Sequence, residues 1–261
     1  MPRTRKRPTD KPLPARDVVA PVGQPITLVW LKAAYAFHSF AYRDPRSAFS
    51  SAVGLPVVSP TAVLLGIAST LFTLGERDKA EAFLKDAHRA KVVIDPPEGV
   101  IFFRAFHQIR RYETDKYGPN PRMGLTDINQ GTREYGLPEG NITIYVGVSE
   151  AHVDATKLAL LNRDHLGTHD SLCSLVGDIE PCGEPKDVVY RPLEGSFPLP
   201  KDGPVTVVTL SRFRKQIQAT VGEPGRCHWW MAGGDDTELV PYLIGGSFHG
   251  TTRGRVYRKH R

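Results

Sequence analysis

The chain has 261 residues, of which 40% are apolar, and its formal net charge is +6. That length and apolar content predict a globular protein with a substantial core, and the positive charge favours a polyanionic partner. No stretch approaches the roughly 18 consecutive apolar residues of a membrane span. The basic N-terminus is not followed by the apolar run that a signal peptide would have. We therefore expect a cytoplasmic protein that makes no contact with a membrane.

The three cysteines, Cys173, Cys182 and Cys227, are not arranged as a CxxC pair. This spacing argues against a disulfide framework and against a structural zinc site. We expect neither a metal nor a cofactor.

Both ends of the chain are basic. Met1–Asp17 contains six Lys or Arg, two Asp and four Pro, which predicts a disordered basic arm over residues 1–20. The segment that begins at Arg253 carries five Lys or Arg and one His, and it predicts a basic tail over residues 251–261.

The most informative stretch of the chain is Leu55–Gly75, which follows a predicted strand within Pro25–Tyr42. Ser59 is a favoured N-cap, Pro60 suits the first helical position, and Gly75 can close the helix in a left-handed conformation. The apolar residues between these caps predict a buried helix packed on a sheet.

Two further patterns follow the predicted helix. Glu76–Ala90 has charges at helical spacing and predicts an amphipathic surface helix. Lys91–Phe106 predicts two short strands joined by a turn at Asp95–Gly99.

The next segment, His107–Leu137, is long, polar and rich in Gly and Pro. Loops of this length in a compact domain are usually functional or disordered. Cations and tyrosines are interleaved in it: Arg110, Arg111, Lys116, Arg122 and Arg133 with Tyr112, Tyr117 and Tyr135. Because aromatic rings stack on bases, we interpret this segment as an RNA-facing excursion.

The remaining elements complete an α+β pattern. Asn141–Val148 predicts a strand, Ser149–Arg163 a helix, and Pro204–Phe213 a late strand. The order of strands and helices indicates a sandwich of ferredoxin-like or RRM-like type, followed by a less regular, β-rich C-terminal part.

Three motifs together resemble one known family. They are LPVVSPTAVLLG at Leu55–Gly66, the pattern REYGLPEGNITIYVGV followed by a helix and DHLGTHDSLCSL at Asp164–Leu175, and the glycine-rich GGSFHGTTRGR at Gly245–Arg255. In this order they are similar to the CRISPR-associated Cas-five family of the RAMP superfamily, whose members belong to type I Cascade effector complexes.

This resemblance implies a RAMP ferredoxin-like domain over residues 21–175, with a thumb-like insertion at about 107–137. A β-rich part over 176–250, containing the glycine-rich loop, would follow. The resemblance further implies a non-catalytic, RNA-binding subunit in antiviral defence that grips and caps the 5′ handle of crRNA. Its partners would be the large subunit and the Cas-seven backbone subunit; indirect contact with target DNA is left open.

Gripping RNA requires cations for the phosphates and rings for splayed bases. The expected phosphate contacts are Arg43, Arg46, Arg110, Arg111, Lys116, Arg122, Arg133, Arg253 and Arg255. The expected stacking residues are Tyr112 and Tyr117.

The main alternative is an endoribonuclease, because some members of the family cut precursor crRNA with Tyr, Lys and His side chains. His107, Tyr112 and Lys116 are the candidates here. A metal-independent cleavage needs a base for the 2′-hydroxyl proton and a cation at the scissile phosphate, and such a set is chemically adequate.

Other functions have weaker support. An RNA-recognition module outside CRISPR would carry aromatic RNP segments, and Val100–Phe106 (VIFFRAF) lacks their Lys/Arg-Gly-Phe pattern. A serine hydrolase would need a G-x-S-x-G elbow after a strand. His165, His169 and Asp170 resemble a metal-binding group, but their sequence context indicates a structured turn.

Overall fold

The computed structural model describes residues 27–47, 51–111, 127–168, 170–194, 203–216, 236–251 and 254–260, which form twelve strands and three α-helices. The strands are β1 (Val29–Phe37), β2 (Ser51–Ala52), β3 (Lys91–Asp95), β4 (Gly99–Arg111), β5 (Asp127–Glu139), β6 (Ile142–Val148), β7 (Cys173–Cys182), β8 (Tyr190–Pro192), β9 (Val205–Phe213), β10 (Thr237–Gly245), β11 (Ser247–Thr251) and β12 (Gly254–Arg258). The helices are α1 (Pro60–Thr73), α2 (Arg77–Asp86) and α3 (Val153–Leu161), and short 3₁₀ turns lie at Ala87–Arg89 and Glu150–His152.

A four-stranded sheet with the order β3–β6–β1–β7 carries the helices. All of its neighbouring strands are antiparallel. Helices α1 and α2 connect β1 to β3, and α3 connects β6 to β7, so this unit has the ferredoxin-like βαββαβ order. The predicted α+β, ferredoxin-like fold class is confirmed.

Helix α1 is the helix predicted from Leu55–Gly75, and its ends are as expected. The Ser59 hydroxyl accepts a hydrogen bond from the Ala62 N–H at 3.2 Å, and Pro60 is the first helical residue. Gly75 has φ = +81°, a conformation that favours glycine. Leu64 is 2% exposed and lies in the core between the helices and the sheet.

Gly66 leaves room on α1 for a buried arginine. The Arg163 Nη2 donates a hydrogen bond to the Val63 carbonyl at 3.2 Å. A Cβ added to Gly66 would lie 2.1 Å from this nitrogen, so the contact requires glycine. Burial lowers the pKa of Arg163.

A five-stranded sheet has the order β11–β12–β4–β5–β2: its β4 and β5 are inserted between β3 and β6, and its other strands come from before α1 and from the C-terminal part. It corrects two expectations. The predicted polar excursion at His107–Leu137 continues strand β4 to Arg111 and contains most of β5. Residues 254–258 of the predicted basic tail form strand β12, which pairs with β4.

The C-terminal part also contributes a three-stranded sheet, β8–β10–β9, which includes the predicted strand at Pro204–Phe213. This sheet joins the core around α1: the Tyr190 hydroxyl donates a hydrogen bond to the Val58 carbonyl at 2.9 Å. Strand β7 of the ferredoxin-like sheet extends to Cys182, past the boundary predicted at residue 175.

The predicted arm at residues 1–20 lies outside the described residues. No described helix combines the length and hydropathy needed to cross a bilayer.

Candidate nucleic-acid interface

The β4–β5 hairpin is the longest strand pair of the structure. Its two strands have 13 residues each and pair from Gly99–Glu139, within the five-stranded sheet, to Arg111–Asp127 at the far end. The base of the hairpin is the level of Arg104 and Glu134, just beyond the last pair of β12 with β4. At about 3.4 Å per residue, the hairpin is about 45 Å long. Strand β12 pairs with β4 only up to Phe102, so the far half of β4 has β5 as its partner among the described strands.

Alternation along β4 gives the five-stranded sheet two different faces. On the inner face, Phe102 is buried and lies 6.0 Å from the Phe248 ring, centroid to centroid. On the outer face, Ile101 is 53% exposed, Leu137 47% and Phe103 38%. Because an exposed aromatic ring on a solvent-facing strand does not stabilise a core, Phe103 is the residue of this face that is a candidate for recognition.

A buried ion pair joins three parts of the chain at the base of the hairpin. The Glu134 carboxylate accepts hydrogen bonds from the Arg255 Nη2 at 2.6 Å, from the Gly54 N–H at 3.0 Å and from the Arg104 Nε at 3.4 Å. Arg255 also donates to the Gly54 carbonyl at 2.8 Å. Burial by itself would raise the pKa of Glu134, but the hydrogen bonds from Arg255 and Gly54 outweigh burial and lower that pKa.

Arg255, predicted to contact phosphate, therefore has a structural role. Its guanidinium lies 5.2 Å from the centroid of the Phe102 ring and 4.9 Å from that of Phe248, in addition to its bond with Glu134. A contact between Arg255 and RNA stays a prediction. The nearby Arg104, which sequence reasoning did not select, has a 71% exposed side chain.

Arg43 and Arg46 lie near the base of the hairpin. Arg43 forms an isolated β-bridge with Gly54, the residue whose N–H binds Glu134. Arg46 pairs with Asp44 at 2.8 Å and keeps 58% of its side chain exposed. Both predicted cations thus lie close to the place where the hairpin leaves the sheet.

Arg133 lies on the outer face and makes one described ion pair. Its Nη1 donates to the Asp170 Oδ2 at 3.1 Å, and the Tyr135 hydroxyl donates to the same oxygen at 3.4 Å. Asp170 follows the DHLGTH segment, so these bonds link the hairpin to the loop before β7.

The other predicted RNA-binding residues are placed only in part. Arg110 and Arg111 end β4, and their side chains lie outside the described set. The remaining ones fall outside the described residues: Tyr112, Lys116, Tyr117, Arg122 and Arg253. For the alternative catalytic set, the backbone of His107 belongs to β4, whereas Tyr112 and Lys116 are not described.

A pair of histidines lies at the other end of the five-stranded sheet. The Ser247 hydroxyl is 3.0 Å from the His249 Nε2 and 3.1 Å from the His260 Nε2, and Ser247 pairs across the strands with Arg258. Two imidazoles at one hydroxyl can accept and donate protons. Sequence analysis selected the glycine-rich motif at Gly245–Arg255, which contains His249, but it did not select His249 as a functional residue.

The group considered as a metal site is divided. Asp170 binds Arg133, and the His165 Nδ1 lies 2.6 Å from the Asp164 Oδ1. His169 is outside the described residues. Within the described ranges, no three His, Cys, Asp or Glu side chains are grouped so that they could hold a metal ion.

Comparison with known proteins gives a sequence relative. No family model matches the chain. A CRISPR-associated protein Cas5 from Archaeoglobus fulgidus is 27% identical over 159 residues, which cover 60% of this chain and 66% of that protein. The match therefore spans just under two thirds of the relative's length. It confirms the predicted resemblance to the Cas5 family.

Comparison of structures gives a more remote likeness. A CRISPR protein from Archaeoglobus fulgidus, known from a crystal structure, has a TM-score of 0.37 and 10% sequence identity. The superposition covers 89% of this chain and 92% of that one. The order and connectivity of β1, β3, β6 and β7 define the ferredoxin-like fold without this likeness.

Proposed function

We propose that this chain, a sequence relative of a CRISPR-associated Cas5 protein, is an RNA-binding structural subunit of a type I Cascade complex. It would grip and cap the 5′ handle of crRNA, contact the large subunit and the backbone subunit, and act in the cytoplasm in antiviral defence. The long β4–β5 hairpin, which carries the exposed cation Arg104 and the exposed ring of Phe103, is the observation that carries this proposal.

The chemistry of single-stranded RNA supports a hairpin of this kind. Phosphates require Arg or Lys, and unpaired bases require rings on which to stack. Arg43 and Arg46 lie near the base of the hairpin, Arg133 lies along it, and Arg110 and Arg111 end strand β4. Arg133 lies opposite Ala105, six residues before Arg111, so these cations are spread over about 20 Å of the hairpin and suit an extended strand better than a compact anion.

The first experiment is salt-dependent binding of labelled single-stranded repeat RNA, without divalent metal. The double variant Arg110→Glu/Arg111→Glu should bind at least about tenfold more weakly. It should also flatten the slope of log affinity against log salt by about 1.4, because each lost phosphate contact on single-stranded RNA contributes about 0.7. The matched control, Arg77→Glu/Lys79→Glu, makes the same charge change on exposed positions of α2 and should retain binding.

If the wild type and the hairpin double variant bind RNA equally well, the proposal that the β4–β5 hairpin supplies the RNA contacts is refuted. The same incubation tests the alternative function, a metal-independent endoribonuclease. We expect binding without cleavage. Site-specific cleavage that is lost in His107→Ala would support a catalytic hairpin, and cleavage lost in His249→Ala would assign the activity to the histidine pair near Ser247.

A further inference from the structure

We propose that Phe103 and Tyr135 form a stacking site for an unpaired nucleobase of single-stranded RNA on the outer face of the β4–β5 hairpin. The two residues are direct cross-strand partners. Their rings are stacked, with centroids 6.0 Å apart and an angle of 27° between the planes. The inference rests on the proposed RNA-binding function and adds a base-recognition site to it.

The ring pair is not explained by packing of the core. Phe102, the adjacent residue on β4, supplies the buried aromatic contact on the inner face and is 2% exposed. Phe103 points to the opposite face and retains 38% exposure, although an exposed aromatic side chain gains little from the hydrophobic effect. Stacking on a ligand would use the surface that the fold leaves open.

Strand β12 contributes no side chain next to Phe103. If the register of β12 against β4 is continued by one residue, Gly254 lies beside Phe103. A Cβ at Gly254 would be 2.3 Å from the Phe102 carbonyl oxygen, so this position accommodates no side chain. Strand β12 therefore adds no side chain at the position beside Phe103.

A positioned cation accompanies the rings. Arg133 lies two residues before Tyr135 on the same face, opposite Ala105, and Asp170 binds both the Arg133 guanidinium and the Tyr135 hydroxyl. A guanidinium has five N–H donors, so its bond to Asp170 leaves donors for a phosphate oxygen. Burial and the charge of Asp170 raise the pKa of Tyr135, which keeps the phenol neutral.

The combination of stacked rings and an adjacent cation favours a nucleotide over an apolar protein surface. Ring and cation match the base and the phosphate of one nucleotide. An apolar partner would instead desolvate the ion pair between Arg133 and Asp170 without replacing its water. The neighbouring Ile101 is 53% exposed and carries no ring, so it provides an internal control.

The experiment measures binding of the full chain to two labelled RNAs of equal length, one normal and one with abasic positions throughout. Phe103→Leu should weaken binding of normal RNA by about 5- to 150-fold, the range expected for one stacked base. Its salt slope should match that of the wild type, because no charge is lost. On the abasic RNA, Phe103→Leu and the wild type should bind alike, and Ile101→Ala should resemble the wild type on both RNAs.

The variant Arg133→Gln tests the contribution of the cation separately from that of the ring. It should reduce the salt slope by about 0.7, which is the loss of one phosphate contact, on both RNAs. Thermal melts of every variant check that the fold is kept. Wild-type affinity of Phe103→Leu for normal RNA would overturn the stacking site and leave the RNA-binding function standing.

Two other outcomes also overturn the inference. If Ile101→Ala weakens binding as much as Phe103→Leu, the outer face is a general apolar contact of the kind that a protein partner would use. If the wild-type chain binds neither RNA, the proposed function fails and the stacking site fails with it.

Discussion

The four-stranded and the five-stranded sheet use similar residues for different purposes. In the first sheet, Ile142, Ile144 and Val146 of β6 are fully buried within the core that the helices share. In the second, β4 alternates between a buried residue, Phe102, and an exposed one, Phe103. An apolar residue under the helices therefore determines stability, whereas an apolar residue on the outer face of the hairpin is available for recognition.

The largest contrast between the two sheets should come from inserting a carboxylate into each. Leu64→Asp places an unpaired charge between α1 and the four-stranded sheet, which we expect to cost more than about 4 kcal/mol and to abolish soluble folding. Leu137→Asp makes the same change on the exposed outer face and should cost about 1 kcal/mol or less. Soluble yield and urea unfolding measure both effects; a soluble, monodisperse Leu64→Asp protein would contradict the assignment of α1 to the core.

A smaller effect is expected within the five-stranded sheet, where two arginines of β12 differ in burial. Arg255→Met leaves the Glu134 carboxylate buried without its main partner and should lower the free energy of unfolding by about 3–5 kcal/mol. Arg258→Met removes an ion pair with Glu139, which is 66% exposed, and should cost about 1 kcal/mol or less. Urea unfolding distinguishes the two variants, and equal losses would show that the Glu134 network does not hold the sheet together.

The smallest of the three effects is a dependence on pH. Because the pKa of Glu134 is lower in the folded chain than in the unfolded chain, the unfolded state takes up a proton first as pH falls. The stabilisation is complete above about pH 5 and should be lost as pH falls below about 4, the usual range of glutamate, toward the folded-state pKa. In Glu134→Gln the urea midpoint should depend less on pH in this range, while Glu139→Gln should keep the wild-type profile; parallel profiles for all three proteins would argue against the shift.

Local signals explain why the ferredoxin-like sheet was predictable. Ser59, Pro60 and Gly75 specify both ends of α1 within one short stretch, and strands β1, β3 and β6 of this sheet are rich in apolar residues. Such signals act over a few residues, so they can be recognised without knowing which strand or helix packs against the segment.

The five-stranded sheet could not be predicted in the same way. Strand β5 is polar and contains Gly131 and Gly136, and its pairing with β4 and β2 makes it a strand. The partner of Arg255 is Glu134, which is distant in the chain, so sequence reasoning assigned Arg255 to RNA. The pairing of Phe103 with Tyr135 is likewise a consequence of register, and the alternation in Gly99–Arg111 was its only sequence signal.

The five-stranded sheet also has a consequence for the synthesis of the chain. Strand β12 lies between β4 and β11, although it follows β4 by most of the length of the protein. A nascent chain therefore carries the β4 edge without its partner until residues 254–258 have left the ribosome. An unpaired strand edge with exposed apolar side chains is a template for mispairing with other chains. The edge of β4 at residues 99–102 thus remains open to mispairing after β5 has been made, until residues 254–258 are available to pair with it.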